Sequence, residues 1–237
     1  MPTSDDQPGR LYEFFLHGPH KPIAKWHHYF PIYEAHFRRL RERMITLVEI
    51  GVFEGGSLQM WKSYFTSGST FFGVDIDPEC RKHAEPGITI LIGDAGNKEF
   101  LREILQRTGL PDIVVDDGGH TATQQITAFE ILYPSVRDGG IYLVEDTHTS
   151  LWPSYVDTPD GRTFLQLAHA MTLELHGWTG DRANFERLNV EPRERGADLE
   201  VSEFCRTTSS IHFYDSVVVF EKKGRTEPWH QTIGAPT

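Results

Sequence analysis

Cysteine is scarce in this chain: among 237 residues only Cys80 and Cys205 occur. Neither sits in a zinc-ligating spacing or a disulfide framework, so a reducing compartment is the expected setting. Long apolar runs are missing as well. No stretch reaches the roughly 18 residues that a membrane-crossing helix needs, and the opening segment has no apolar signal core. A cytoplasmic protein without a membrane partner is expected. Basic side chains are outnumbered, with 23 Lys and Arg against 34 Asp and Glu and a formal charge of -11. No nucleic-acid partner is expected, because no extended Lys/Arg cluster could line a groove. The one basic stretch, Arg38 to Arg43, mixes charge with helix formers and reads as a solvated face.

What is present suffices for one well-filled core, with 38% hydrophobic and 12% aromatic residues. Residues 1–10 are polar and read as loose. Helical spacing of Ile32, Phe37 and Leu40 follows Pro31. Then apolar runs alternate with helical patterns: strands at 45–52, 70–75, 88–92, 113–116 and 141–145, with helices between them. Such alternation predicts a mostly parallel sheet with helices on both faces. Two closing runs, 210–214 and 216–220, predict an antiparallel hairpin at the sheet edge, making seven strands. A single domain, 1–237, is expected, divided into a helical cap (1–44), a cofactor-binding core (45–146), an acceptor-side insertion (147–185) and edge strands (186–237).

Two strand ends carry the chemistry. Ile113-Val114-Val115 runs into Asp116-Asp117-Gly118-Gly119-His120, and Ile141-Tyr142-Leu143-Val144 runs into Glu145-Asp146-Thr147-His148. In parallel neighbours these ends share one rim, where open α/β sheets bind ligands. Asp117, Glu145 and Asp146 offer the oxygen donors a hard divalent cation prefers, and His120 is the candidate general base. Capping of the following helix or a solvated rim would account for either motif alone. Asp116 points oppositely to Asp117 along the strand and is read as supporting the cofactor side.

The first strand leads into Gly51, Gly55, Gly56 and Ser57, whose spacing is not the dinucleotide fingerprint. Glu49 near that strand end suits an amino-bearing ligand. Asp75 can accept from ribose hydroxyls, while Asp94 faces an adenine amine or satisfies a turn; Asp77 can cap the next helix. A nucleoside with a charged amino-acid tail uses all three carboxylates, which fits S-adenosylmethionine better than NAD.

With these motifs the sequence resembles the class I methyltransferases, and within them the divalent-metal-dependent sugar O-methyltransferases related to the mycinamicin and macrocin enzymes. The resemblance covers roughly residues 23–180. It implies a Rossmann-like fold, S-adenosyl-L-methionine bound by Glu49, Gly51, Gly55, Ser57, Asp75 and Asp94, and Mg2+, with Mn2+ as the alternative, on Asp117, Glu145 and Asp146. His120 falls on the family's catalytic histidine, and Gly119 stands where Ser is frequent. The N-terminal segment of such enzymes closes on the acceptor, making Lys25, His28, Tyr29 and Tyr33 pocket candidates. His148, Trp152 and Tyr155 follow the metal motif and could contact a sugar. The implied activity is methylation of a sugar hydroxyl in an oligosaccharide or glycosylated natural product (EC 2.1.1.-) by a homo-oligomer. Alternatives are a catechol or other phenolic diol as acceptor, a hydroxylase-associated relative, and a non-catalytic nucleoside-binding protein.

Overall fold

A computed structural model describes residues 9–197 and 199–234. Seven strands form one sheet: β1 (Thr46–Ile50), β2 (Thr70–Asp75), β3 (Ile88–Ile92), β4 (Ile113–Asp116), β5 (Ile141–Val144), β6 (Thr208–Tyr214) and β7 (Val217–Lys222). Their order is β3-β2-β1-β4-β5-β7-β6. The first five are parallel, β7 pairs antiparallel with β5, and β6 closes the edge as a hairpin. This is the class I methyltransferase fold read from the sequence. The strand order reverses direction between β1 and β4, and the crevice beyond their carboxyl ends is the expected ligand position.

Helices α1 (Arg10–His17), α2 (Tyr29–Phe37) and α3 (Gly56–Tyr64) cover one face; α4 (Lys98–Thr108), α5 (Ala122–Leu132) and α6 (Phe164–Glu174) cover the other. Strand residues alternate between these layers. Leu47, Ile113, Val115 and Leu143 join the first core, while Val48, Val114, Tyr142 and Val144 join the second. Two-sided burial explains why these strands read as continuous apolar runs rather than alternating ones.

Local details differ from the sequence reading. β1 stops at Ile50 rather than residue 52, because Gly51 turns into the left-handed region at φ 94°. A Cβ there would overlap the carbonyl of Asp117, so only glycine lets β1 and β4 open together. α2 begins at Tyr29, ahead of Pro31, which sits in the first turn where its missing N–H is not needed. Of the polar start, residues 1–8 lie outside the described residues, and Arg10 already opens α1. Asp77 caps a short 3-10 helix by accepting from the Glu79 amide at 2.9 Å. Among the described residues no helix is long and apolar enough to cross a membrane.

Candidate active site

A cavity of about 400 Å3 opens at the carboxyl ends of β1, β2 and β4. Its wall includes the backbone of Gly51, Val52 and Phe53, then Asp75, Ile76, Gly93, Ala95 and Gln124. Its mouth carries Lys25, Asp117, His120 and Asp146. Three of these residues, Phe53, His120 and Asp146, are non-glycine residues with φ between 50° and 58°. Such backbone costs about 1–3 kcal/mol per residue and concentrates at functional sites.

Asp75 shapes the wall. Its Oδ2 accepts from the amides of Val52 at 2.8 Å and Phe53 at 3.3 Å, and Oδ1 accepts from Asp77 at 2.9 Å. Although burial works against the charge, these donors hold its carboxyl below the usual range. Glu49 lies beneath the cavity rather than on its wall. Its two oxygens accept from Ser57 Oγ at 2.8 Å and Trp61 Nε1 at 2.9 Å, and burial pushes its pKa up to about 7. Ser57 lines the cavity; Gly55, two residues earlier, is the left-handed N-cap of α3. Asp94 is exposed and accepts from the Gly96 amide and from Gln124 Nε2 at 3.3 Å.

Asp116 does not reach the cavity. It points into the second core, 3% exposed, and accepts from Tyr142 at 3.2 Å. Burial pushes its pKa up to about 7. A direct cofactor contact for Asp116 does not match this placement, and strand alternation is the reason.

At the mouth, one ligand atom from each of Asp117, His120 and Asp146 lies within 4.8 Å of the others. His120 Nε2 is 3.4 Å from Asp146 Oδ2 and 4.0 Å from Asp117 Oδ1. Glu145 stands apart from this cluster, 1% exposed. It accepts from Lys25 Nζ at 2.9 Å on both oxygens and from Tyr33 at 2.7 Å. The same ammonium lies 2.5 Å from Asp117 Oδ2. Burial alone would lower the Lys25 pKa, but Asp117, Glu145 and Glu49 together hold it above the ordinary value. Tyr29 donates to Asp146 at 2.5 Å. The cap segment thus places Lys25, Tyr29 and Tyr33 on the carboxylates themselves.

Of the remaining acceptor candidates, His148 Nδ1 is 4.0 Å from Asp146 Oδ1, with its ring between Trp26 and Trp152. Tyr155 packs on Trp152, one ring further out. His28 turns away and meets the Asp215 carbonyl at 3.3 Å. Sequence reasoning missed Gln124 on the cavity wall and Gln125, whose Nε2 holds the Glu145 carbonyl at 3.0 Å. The signal was the adjacent Gln124-Gln125 pair in the first turn of α5, directly after the rim motif.

Two features bear on whether a cation and a nucleoside fit. Lys25 already places a positive charge among Asp117 and Glu145, as a stand-in for one. Gln124 Oε1 is buried at the cavity wall without a partner, an open acceptor for an amino group.

Comparison with known proteins agrees with the fold. Residues 48–147 match the model of a methyltransferase domain family. Over that segment the chain resembles a methyltransferase domain, and its sheet has the class I methyltransferase fold. Its resemblance is to named O-methyltransferases, among them enzymes of rhamnosyl tetracenomycin-C and of mycinamicin VI. It is 35% identical over 213 residues to the 8-demethyl-8-alpha-L-rhamnosyl tetracenomycin-C 2'-O-methyltransferase of Streptomyces olivaceus, covering 85% of this chain and 52% of that protein. Mycinamicin VI 2''-O-methyltransferase of Micromonospora griseorubida is 34% identical over 85% of this chain and 49% of its own length. The structure of MycE methyltransferase from the mycinamycin pathway, solved with Mg, SAH and mycinamycin VI, superposes with a TM-score of 0.71 at 30% identity, covering 88% of this chain and 52% of that one. The chain therefore spans about half the length of the relatives it matches.

Proposed function

We propose that this protein is a Mg2+-dependent S-adenosylmethionine O-methyltransferase acting on a sugar hydroxyl of a glycosylated natural product or oligosaccharide. The observation that carries this reading is the convergence of Asp117, His120 and Asp146 at the mouth of a nucleoside-sized cavity. Asp117, Glu145 and Asp146 are the residues that would hold the ion, with Lys25 and Tyr33 occupying Glu145 until an ion competes for it. A bound divalent ion supplies polarisation and orientation of a sugar hydroxyl.

The chain's own groups do the rest. The Gly51–Phe53 backbone and Asp75 position the nucleoside, and Gln124 Oε1 accepts from its amino group. Residues 147–185 provide the acceptor side, where Trp26 and Trp152, each about half exposed, flank His148 and offer aromatic faces to the apolar side of a sugar. His120 Nε2 would accept the hydroxyl proton, and bound S-adenosylmethionine would supply the methyl group and leave as S-adenosylhomocysteine. Asp146, 3.4 Å away, stabilises the resulting imidazolium.

Calorimetric titration tests the reading. Cofactor binding to metal-stripped protein, with glycoside binding only after Mg2+ is added, is the expected result. A protein that binds no S-adenosylmethionine in either condition is not this enzyme. Binding of catechol in preference to glycosides would move the acceptor to phenolic diols.

A further inference from the structure

We propose that His36, His212 and Glu221 form a second metal site, for a transition-metal dication of the zinc class, remote from the rim. The three come from α2, β6 and β7 and meet where the N-terminal cap packs on the edge hairpin. By register His212 lies beside Val219, and Glu221 follows Val219 on the same face of β7. That face is otherwise apolar, with Val217 and Val219 fully buried against the first core. Two imidazoles and a carboxylate on such a surface call for an explanation.

The geometry supplies one. His36 Nδ1 is 2.7 Å from Glu221 Oε1, the His36 and His212 rings are 4.6 Å apart, and one ligand atom from each residue lies within 4.8 Å of the others. His36 is 4% exposed, so its imidazole is held in place by the packing around it. Each histidine has an outer hydroxyl partner on its far nitrogen. Tyr214 lies 2.9 Å from His36 Nε2, and Ser210 Oγ lies 3.0 Å from His212 Nε2. This is how protein ligands are oriented: one ring nitrogen is held by a neighbour, which leaves the other for an ion, and at His36 that other nitrogen, Nδ1, faces Glu221. Glu221 Oε2 is 3.8 Å from Arg39 Nη2, which steadies the carboxylate and competes with an ion for it.

The donor set decides the ion. Imidazole with one carboxylate selects zinc-class ions, whereas the largely carboxylate rim suits magnesium. Three protein ligands leave a position open, and His212 and Glu221 are only half-buried, so an ion can enter from solvent. Its effect would be to tie the hairpin to α2, the helix that carries Tyr29 and Tyr33 to Asp146 and Glu145.

The test uses the full-length, tag-free chain, stripped with EDTA, loaded with ZnCl2 and passed through gel filtration before metal counting by mass spectrometry. Wild-type protein and the rim variant Asp117→Asn/Asp146→Asn should each retain one zinc per chain and melt at a higher temperature with zinc than without. His212→Gln should retain none and show no zinc-dependent rise, while melting normally when metal-free. Glu221→Gln, a smaller change, should bind at least about tenfold more weakly. CoCl2 should give visible ligand-field absorption with the same dependence. Absence of retained zinc in wild type, equal retention by His212→Gln and Glu221→Gln, or loss confined to the rim variant would each overturn the site and leave a Tyr214–His36–Glu221 hydrogen-bond chain.

Discussion

Lys25 Nζ lies 2.9 Å from both carboxylate oxygens of Glu145, across 120 residues of sequence. The side chain is 2% exposed and also touches Asp117, so this one ammonium balances a rim of buried negative charge. Lys25→Met should leave those carboxylates unpaired and lower the stability of metal-free protein by about 3–5 kcal/mol. Mg2+ should restore more stability to the variant than it adds to wild type. Urea denaturation with and without Mg2+ reads both; equal midpoints for the two proteins would deny Lys25 this role.

His120→Ala should lower turnover about 10²–10⁴-fold while S-adenosylmethionine binding, followed by calorimetry, stays within a few-fold of wild type. The side chain sits at the mouth rather than on the nucleoside wall, so rate and cofactor affinity separate. Unchanged turnover would remove His120 from proton transfer.

Asp75→Ala should act in the opposite way. It frees the Val52 and Phe53 amides that the carboxylate holds at 2.8 and 3.3 Å. Charge-assisted hydrogen bonds of this kind contribute about 1.5–3 kcal/mol, so cofactor affinity should fall by roughly tenfold or more. Turnover at saturating cofactor should fall much less.

A pH-dependent stability is expected far from the site. Glu227 is 6% exposed and accepts from Arg187 and Arg195, and the Arg187 bond above all lowers its pKa from 4.5 to about 2. Because the folded value is depressed, its contribution is full above pH 4.5 and is lost as pH falls toward 2. Glu227→Gln should flatten this acid-side decline in a series of urea melts; an unaltered pH profile would count against it.

The parallel sheet was legible because two-sided burial writes each strand as an apolar run, and because Asp117, Glu145 and Asp146 follow such runs directly. The hairpin was legible from two β-prone runs around Asp215. Strand alternation also announced that Asp116 and Asp117 diverge, although only the packing of Tyr142 showed where Asp116 goes. Lys25 was marked for an acceptor pocket, but nothing local in Lys25-Trp26-His27 says that its ammonium will sit on Glu145. That contact depends on how the cap folds back over the rim. Glu49 is similar: its position was read correctly near the strand end, but its partner Trp61 lies on the next helix. The His36, His212 and Glu221 cluster left no sequence signal, since its members are brought together from both ends of the chain.

The most direct test of the central claim is turnover of a glycoside panel with S-adenosylmethionine, scored by S-adenosylhomocysteine release and by the mass of the methylated product. The account predicts a gain of one methyl group on a sugar, abolished by chelation, restored by Mg2+ and lost in Asp117→Asn. Equal turnover after complete chelation, or methylation of catechols with every glycoside inert, would contradict it.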